Sequence, residues 1–224
     1  MRKRFDEQLK HLNHELIQMG SLCETLIELA AKTVRSEDKE LVEKIKPMAN
    51  ELDQMEHDVE SLCLKLLLQQ QPVASDLRRV SSALKMITDM ERIGDQAEDI
   101  AEIVTIMKKI PAIHCDEING MAKATIEMVN GSIEAFVKQD IDLAHRIIEE
   151  DDIVDDYFVR VRAALIEKIA ANPGVGENAL DLLMIAKYFE RIGDHVTNIA
   201  EWVVFSVTGI HKEEKTDENM VCGR

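Results

Sequence analysis

Aromatic residues supply only 4% of this 224-residue chain, which also has just four prolines and nine glycines. With Leu, Ile, Ala, Glu, Lys and Met abundant, that scarcity favours helices over strands and sets the expectation of an all-α fold. The four cysteines (Cys23, Cys63, Cys115 and Cys222) stand far apart with no CxxC. They form neither a disulfide framework nor a zinc ribbon, and they suit a reducing compartment. Positive charge is also short. Lys and Arg number 27 against 43 Asp and Glu, a formal charge of −16. Such a surface repels nucleic acid phosphates, and Arg2-Lys3-Arg4, Arg78-Arg79 and Lys108-Lys109 are too short to form a basic patch, so no nucleic acid partner is expected. An acidic surface can instead draw cations or a basic partner. No apolar run approaches the roughly 18 residues of a membrane span. Phe5-Asp6-Glu7-Gln8 after the first basic residues is unlike a signal peptide, so a cytoplasmic protein is expected. A Gly-rich phosphate loop, a nucleotide fingerprint and a Ser-His-Asp or Cys-His arrangement are likewise missing, which leaves catalysis without support and predicts a non-enzyme.

What is present is a five-residue stretch that occurs twice. Glu91-Arg92-Ile93-Gly94-Asp95 recurs as Glu190-Arg191-Ile192-Gly193-Asp194, 99 positions later. Both copies fall inside long segments of helical periodicity. A helix-interior glycine there costs about 1 kcal/mol against alanine. Two carboxylates one turn apart add a repulsion of roughly a few tenths of a kcal/mol. The same unfavourable pattern, met twice in the same order, points to a site.

The apolar pattern predicts six helices. The first runs from about Phe5 to Thr33 on the stripe Leu9, Leu12, Leu16, Met19, Leu26. Ser36 is a plausible N-cap for the second, and Pro47 predicts a kink or short break near Lys46 before the helix resumes to Gln69-Gln70-Gln71-Pro72. The third is capped by Ser75 or Asp76 and reaches about Lys108. Ile110 to Asp116 reads as a linker. A fourth helix covers Glu117 to Lys138, a fifth begins after Asp140 and reaches Ala171, and a sixth runs from Glu177 to about Val207. The second and fifth helices register at an offset of 102, which pairs Leu41 with Leu143, Ile45 with Ile147, Leu52 with Val154 and Val59 with Val161. The organisation expected is two tandem, pseudo-symmetric three-helix bundles, at 1–109 and 116–208, with a flexible tail at 209–224. Trp202 and Phe205 are expected in the core.

One face of the third helix reads Val80, Leu84, Ile87, Glu91, Asp95, Asp99 and Glu102; the sixth reads Ala179, Leu183, Ala186, Glu190, Asp194, Asn198 and Glu201. In each, an apolar stripe turns into oxygen ligands halfway along. Residues at i and i+4 stack about 6 Å apart, close enough to share a metal or bridge two. The preceding helices offer partners: Asp53 matches Asp155, whereas Asp151 has Ala49 as its counterpart. Carboxylates meeting across two helices require a cation, and an all-oxygen set suits Mg, Ca, Mn or ferric iron more than Zn. The alternative is an ordinary solvated face, with Arg92 and Arg191 in simple ion pairs. Asp142 and His145 also have ligand-like spacing, though such a pair is more often surface. No ferritin-type Glu-x-x-His is present, which counts against a di-iron-like metalloenzyme.

The doubled stretches at 91–95 and 190–194, with Gln71-Pro72-Val73-Ala74-Ser75-Asp76-Leu77-Arg78 and Asp140-Ile141-Asp142-Leu143-Ala144, resemble the PhoU family of phosphate-signalling proteins over nearly the whole chain. The resemblance implies two similar three-helix bundles whose E(D)xxxD motifs hold iron or zinc. It carries over to Glu91 with Asp95, Glu190 with Asp194, Asp151 with Asp155, and Asp53 as half of a fourth motif. Ala49 and Asn198 depart from the pattern, which leaves the sites unequal and makes the second bundle the first place to look for metal. The resemblance further implies a negative regulator of the phosphate regulon and of phosphate uptake, a homodimeric adaptor at the inner membrane face. Its partners would be the ATPase subunit of a phosphate ABC transporter and a sensor histidine kinase; a non-ABC phosphate permease is the alternative partner.

Overall fold

The computed structural model describes residues 2–36, 39–70, 73–107 and 116–210. They form six long helices: α1 (Arg2–Ser36), α2 (Lys39–Gln70), α3 (Ala74–Ile106), α4 (Asp116–Lys138), α5 (Ile141–Ala171) and α6 (Gly176–Thr208), with a single 3-10 turn at Pro173–Val175. The all-α expectation holds, and the element order repeats after α3. The expected linker lies outside the described residues except for Asp116, which opens α4, and so does the tail beyond Ile210.

Each triplet closes on itself, α1 with α2 and α3, and α4 with α5 and α6. The triplets then join through α1 against α4 and α3 against α6. The result has two layers: α2, α3, α6 and α5 lie side by side, and α1 and α4 back them. Antiparallel α3 and α6 are tied at one end of their seam, where Arg78 donates to the Val207 carbonyl at 3.4 Å, and near its middle, where His195 Nδ1 lies 2.9 Å from Asp89 Oδ1. One apolar core runs through both triplets. Leu12, Leu16, Met19 and Leu26 of α1, Met86 and Met90 of α3, and Phe189 and Val196 of α6 are all fully buried. Phe136 of α4 is buried against the Arg79 guanidinium, which sits 5.5 Å from its ring centroid and donates to Asn13 of α1 at 3.1 Å.

Local signals account for most ends. Asp140 caps α5 by accepting from the Leu143 amide at 2.9 Å, and Gly209 ends α6 with φ of 75°. Four expectations fail. Pro47 lies inside an unbroken α2, where it is exposed while Ile45, Ala49 and Leu52 keep the buried stripe in step. Packing of that stripe outweighs one missing hydrogen bond. Ser36 is the last residue of α1, its hydroxyl donating back to the Lys32 carbonyl at 2.9 Å. α3 starts one residue before Ser75, with Val73 at the cap position and no side-chain cap bond. Trp202 and Phe205 are half-buried rather than core, and meet edge to face at 5.6 Å.

Candidate metal centre in two outer grooves

The two Glu-x-x-x-Asp motifs face outward from the four-helix layer, each toward the flanking helix of its own triplet. Helix geometry sets this. Ile93, Gly94 and Ala97 are buried, so Glu91 and Asp95 fall at the edge of the core beside α2; Ile192, Gly193 and Val196 do the same for Glu190 and Asp194 beside α5. The buried glycines let the flanking helix approach. A Cβ on Gly94 would stand 2.8 Å from Leu52 Cδ2, and one on Gly193 would stand 2.6 Å from Asp151 Oδ1. In the first groove a leucine fills the space over the glycine; in the second, a carboxylate does.

In the first groove, Asp53, Glu91 and Asp95 bring carboxylate oxygens within 4.8 Å of one another. Arg92 grips the cluster from the rim, 3.5 Å from Glu91 and 3.1 Å from Asp95, but its own side chain is exposed. Burial, and then the neighbouring Asp95, push the Glu91 carboxyl above its ordinary range. Glu56 adds to the negative charge on Glu91, and burial and Glu60 raise Glu56 in turn.

In the second groove, half-buried Asp151 is pushed up to about 6, by burial first and then by Asp194 and Asp155, with a smaller effect from Glu190. The Thr197 hydroxyl faces Asp151 but makes no well-formed hydrogen bond. Asp155 is raised by burial and by Glu190. Lys187 makes an ion pair with Glu190 and lies over the Phe158 ring at 5.6 Å, so this cluster carries its own cation. Among the described residues the groups of three donors within reach of one ion are both in the first half. Lys187 occupies Glu190 in the second half, whereas Thr88 stands at its counterpart position in the first.

Asp99 and Asn198 do not join either group. Each i+4 step overshoots a full turn by about 40°, so two steps from Glu91 or Glu190 carry the stripe about 80° round the helix. The stripe then faces the seam between α3 and α6. Asp99 faces the Tyr188 hydroxyl, which offsets part of the rise that burial and Glu102 impose on it. Asn198 donates to Asp89 at 3.2 Å, next to His195. Asp142 and His145 are both exposed and form no donor group. The sequence reading missed Glu56, His57 and Glu60, a second donor group on α2. The spacing Asp53-x-x-Glu56-x-x-x-Glu60, one face of a helix, was its visible signal.

The donor set fits a cation. Carboxylates crowd together and Glu91 is pushed above its ordinary range, no lysine serves the first groove at the position Lys187 fills in the second, and oxygen donors suit hard or borderline ions.

A family model described as "PhoU domain" matches the chain twice, over residues 16–104 and 118–203. A phosphate-specific transport system accessory protein PhoU homolog of Clostridium acetobutylicum is 32% identical over 212 residues, 93% of this chain and 96% of that protein. The homolog of Aquifex aeolicus is 32% identical over 186 residues, 83% of this chain and 84% of its own. Among solved structures, PhoU from Pseudomonas aeruginosa superposes with a TM-score of 0.85 at 29% identity, covering 92% of this chain and all of that one. The regulatory protein PhoU of the phosphate transport system of Streptococcus pneumoniae gives 0.84 at 28% identity, over 94% of this chain.

Proposed function

The chain belongs to the PhoU family, and from that premise we propose that it is a non-enzymatic accessory protein of a phosphate-specific transport system. It acts from the cytoplasm as a metal-binding adaptor that keeps the phosphate response off when phosphate is plentiful. Its partners are the ATPase subunit of the transporter and a membrane sensor histidine kinase. Among the described residues no helix is long and apolar enough to cross a membrane. In this reading, contact with the bilayer is made through those partners. A homodimer is part of the same reading, and sedimentation of the full chain decides it.

The observation that carries the proposal is the match over nearly the whole length of relatives named for phosphate transport, together with a Glu-x-x-x-Asp pair facing a carboxylate helix in each half. Asp53, Glu91 and Asp95 would hold an ion in the first groove; Asp151, Asp155, Glu190 and Asp194 would hold one in the second. A bound ion supplies fixed positive charge that lets the crowded carboxylates ionise together and pins α2 to α3 and α5 to α6. The residues themselves set how much of the groove stays acidic toward a partner.

The test is a phosphate-responsive reporter in the native host. Deleting the gene should release the reporter at high phosphate, and wild type should restore repression. The Asp95→Ala/Asp194→Ala variant should fold, lose metal by elemental analysis and restore repression poorly. A deletion that leaves the reporter repressed would overturn the regulatory reading.

A further inference from the structure

Pro47 has no task in the metal reading, although a proline inside a helix is costly. Without an N–H it leaves the Glu43 carbonyl, one turn earlier in α2, without its helical donor. Glu43 and Pro47 line a cleft of about 430 Å³ between α2 and α3, further along the first groove from Asp95 toward the end of α3. That size is within the range of clefts that take a small ligand. Val42, Pro47 and the buried Ala101 supply an apolar wall, and Glu43, Glu98 and Glu102 supply carboxylates. An apolar wall with an acidic rim fits a long aliphatic stem that ends in a cation.

The chain already places one cation there. Lys46 lines the same cleft and reaches across to Glu98 at 2.9 Å. Its ammonium is held above the ordinary range, first by Glu98 and more weakly by Glu102. The lysine side chain stays 69% exposed, so the pair is a weak one that an incoming group can displace. A planar guanidinium, with its donors in a fixed fork, matches two carboxylates one turn apart and a free carbonyl better than an ammonium does.

The second half lacks this arrangement. At the offsets of the repeat, Lys46 becomes Ile148, Pro47 becomes Glu149, Glu98 becomes Thr197 and Thr105 becomes Val204. Ile148 and Val204 pack against the core, so apolar groups stand where the first half has its ion pair and rim.

We infer that the α2–α3 cleft beside Pro47 is the seat of an arginine side chain from a protein partner. The stem lies against Val42, Pro47 and Ala101, and the guanidinium displaces Lys46 to reach Glu98, Glu102 and the Glu43 carbonyl. Charge selects this occupant: the chain carries a formal −16, and the cleft sets carboxylates beside an apolar wall. The proposal rests on the reading of the chain as an adaptor that works through protein contacts, and it requires no metal.

The test is a titration of the full chain followed by the methyl NMR signals of Ala101 and Thr105, which line the cleft. Salt of about 0.15 M screens diffuse attraction. The probe is a blocked dodecapeptide of alanine and glutamine with one central arginine. Both signals should shift, and the same peptide with citrulline for arginine should bind at least about tenfold more weakly. Glu102→Gln should weaken the arginine peptide about tenfold, whereas Lys46→Ala should strengthen it about two- to fivefold. Glu201→Gln, at the counterpart position in α6, should leave it unchanged. Equal binding of the citrulline peptide, or equal losses in the Glu102 and Glu201 variants, would overturn the proposal as diffuse acidity. Shifts that follow dilution of the protein alone would make a second copy the occupant and overturn it too. None of these outcomes touches the adaptor reading, which fails separately if deleting the gene leaves the reporter repressed.

Discussion

The two halves of this chain share a fold and a motif but solve one packing problem differently. In the second half, the space over Gly193 holds the Asp151 carboxylate, with the smaller Val154 beside it. In the first, Ala49 replaces the aspartate and the larger Leu52 reaches over Gly94. The volume is conserved and the charge is not. The second half then balances its extra carboxylate with Lys187, whereas the first, lacking that lysine, spreads its acidity along α2 through Glu56 and Glu60. A repeated motif therefore fixes where a site sits without fixing what it binds; the residues facing the motif do that.

The sharpest way to break this comparison is to put the missing aspartate back. Ala49 is 7% exposed and has Leu52 as its neighbour over Gly94, so Ala49→Asp forces a carboxylate into filled space. Overpacking and an unpaired buried charge together should cost about 3 kcal/mol. Adding Leu52→Val copies the second half and should recover a good part of the loss. Urea unfolding measures both, and a single variant as stable as wild type would show that the two grooves are interchangeable.

Next in size is the metal response. Asp95→Ala removes one of three carboxylates with no replacement, so ion affinity in the first groove should fall at least about tenfold. Asp194→Ala leaves Asp151, Asp155 and Glu190, and should cost the second groove less. Calorimetric titration of each metal-stripped variant decides it; the opposite order would mean that Asp151, not the assembled triad, dominates binding.

Much of this was legible in the sequence. The doubled motif and the 102 offset can be read directly from the residue pattern, and these carry the fold. The failures share a cause: they involve where a helix face points once it is packed. Asp99 and Asn198 sit in perfect i+4 steps, yet helical drift turns them into the seam toward Tyr188 and Asp89. Lys187 is unremarkable in sequence and matters only because α6 carries it one turn before Glu190. Pro47 signals a break, but the signal is local and the buried stripe on either side is not.

A third difference should appear in pH dependence. Asp151 rises from an ordinary 3.8 to about 6 in the folded protein, chiefly through burial. Between those values the native state holds a proton that the unfolded chain has released, so stability of the metal-free protein should fall as pH rises through that window. It should be higher near pH 4 than near pH 7 for this group. Asp151→Asn removes the dependence and should raise the metal-free Tm at pH 7 by about 2–4 °C. A saturating divalent ion should erase that advantage, since the asparagine variant has lost a donor. Scanning calorimetry at the two pH values checks it. The first half has Ala49 at this position, and its upward-shifted groove carboxyls are Glu91 and Glu56 instead.

The smallest effect tests the most specific difference. Lys187 is 43% exposed and Glu190 15%, and exchanging Lys187 for the threonine found at position 88 breaks one partly exposed ion pair. In the metal-free protein that should change stability by under about 0.5 kcal/mol. Ion affinity should move further, because Glu190 is released beside Asp155 and Asp151, and the second groove should then bind more tightly than in wild type. The reciprocal Thr88→Lys should place a cation against Glu91 and weaken the first groove. The pair of variants thus exchanges the character of the two sites without touching a carboxylate. Metal titrations that show both grooves indifferent to the exchange would mean that the lysine does not compete with the ion, and that the inequality between the halves lies in α2 and α5 alone.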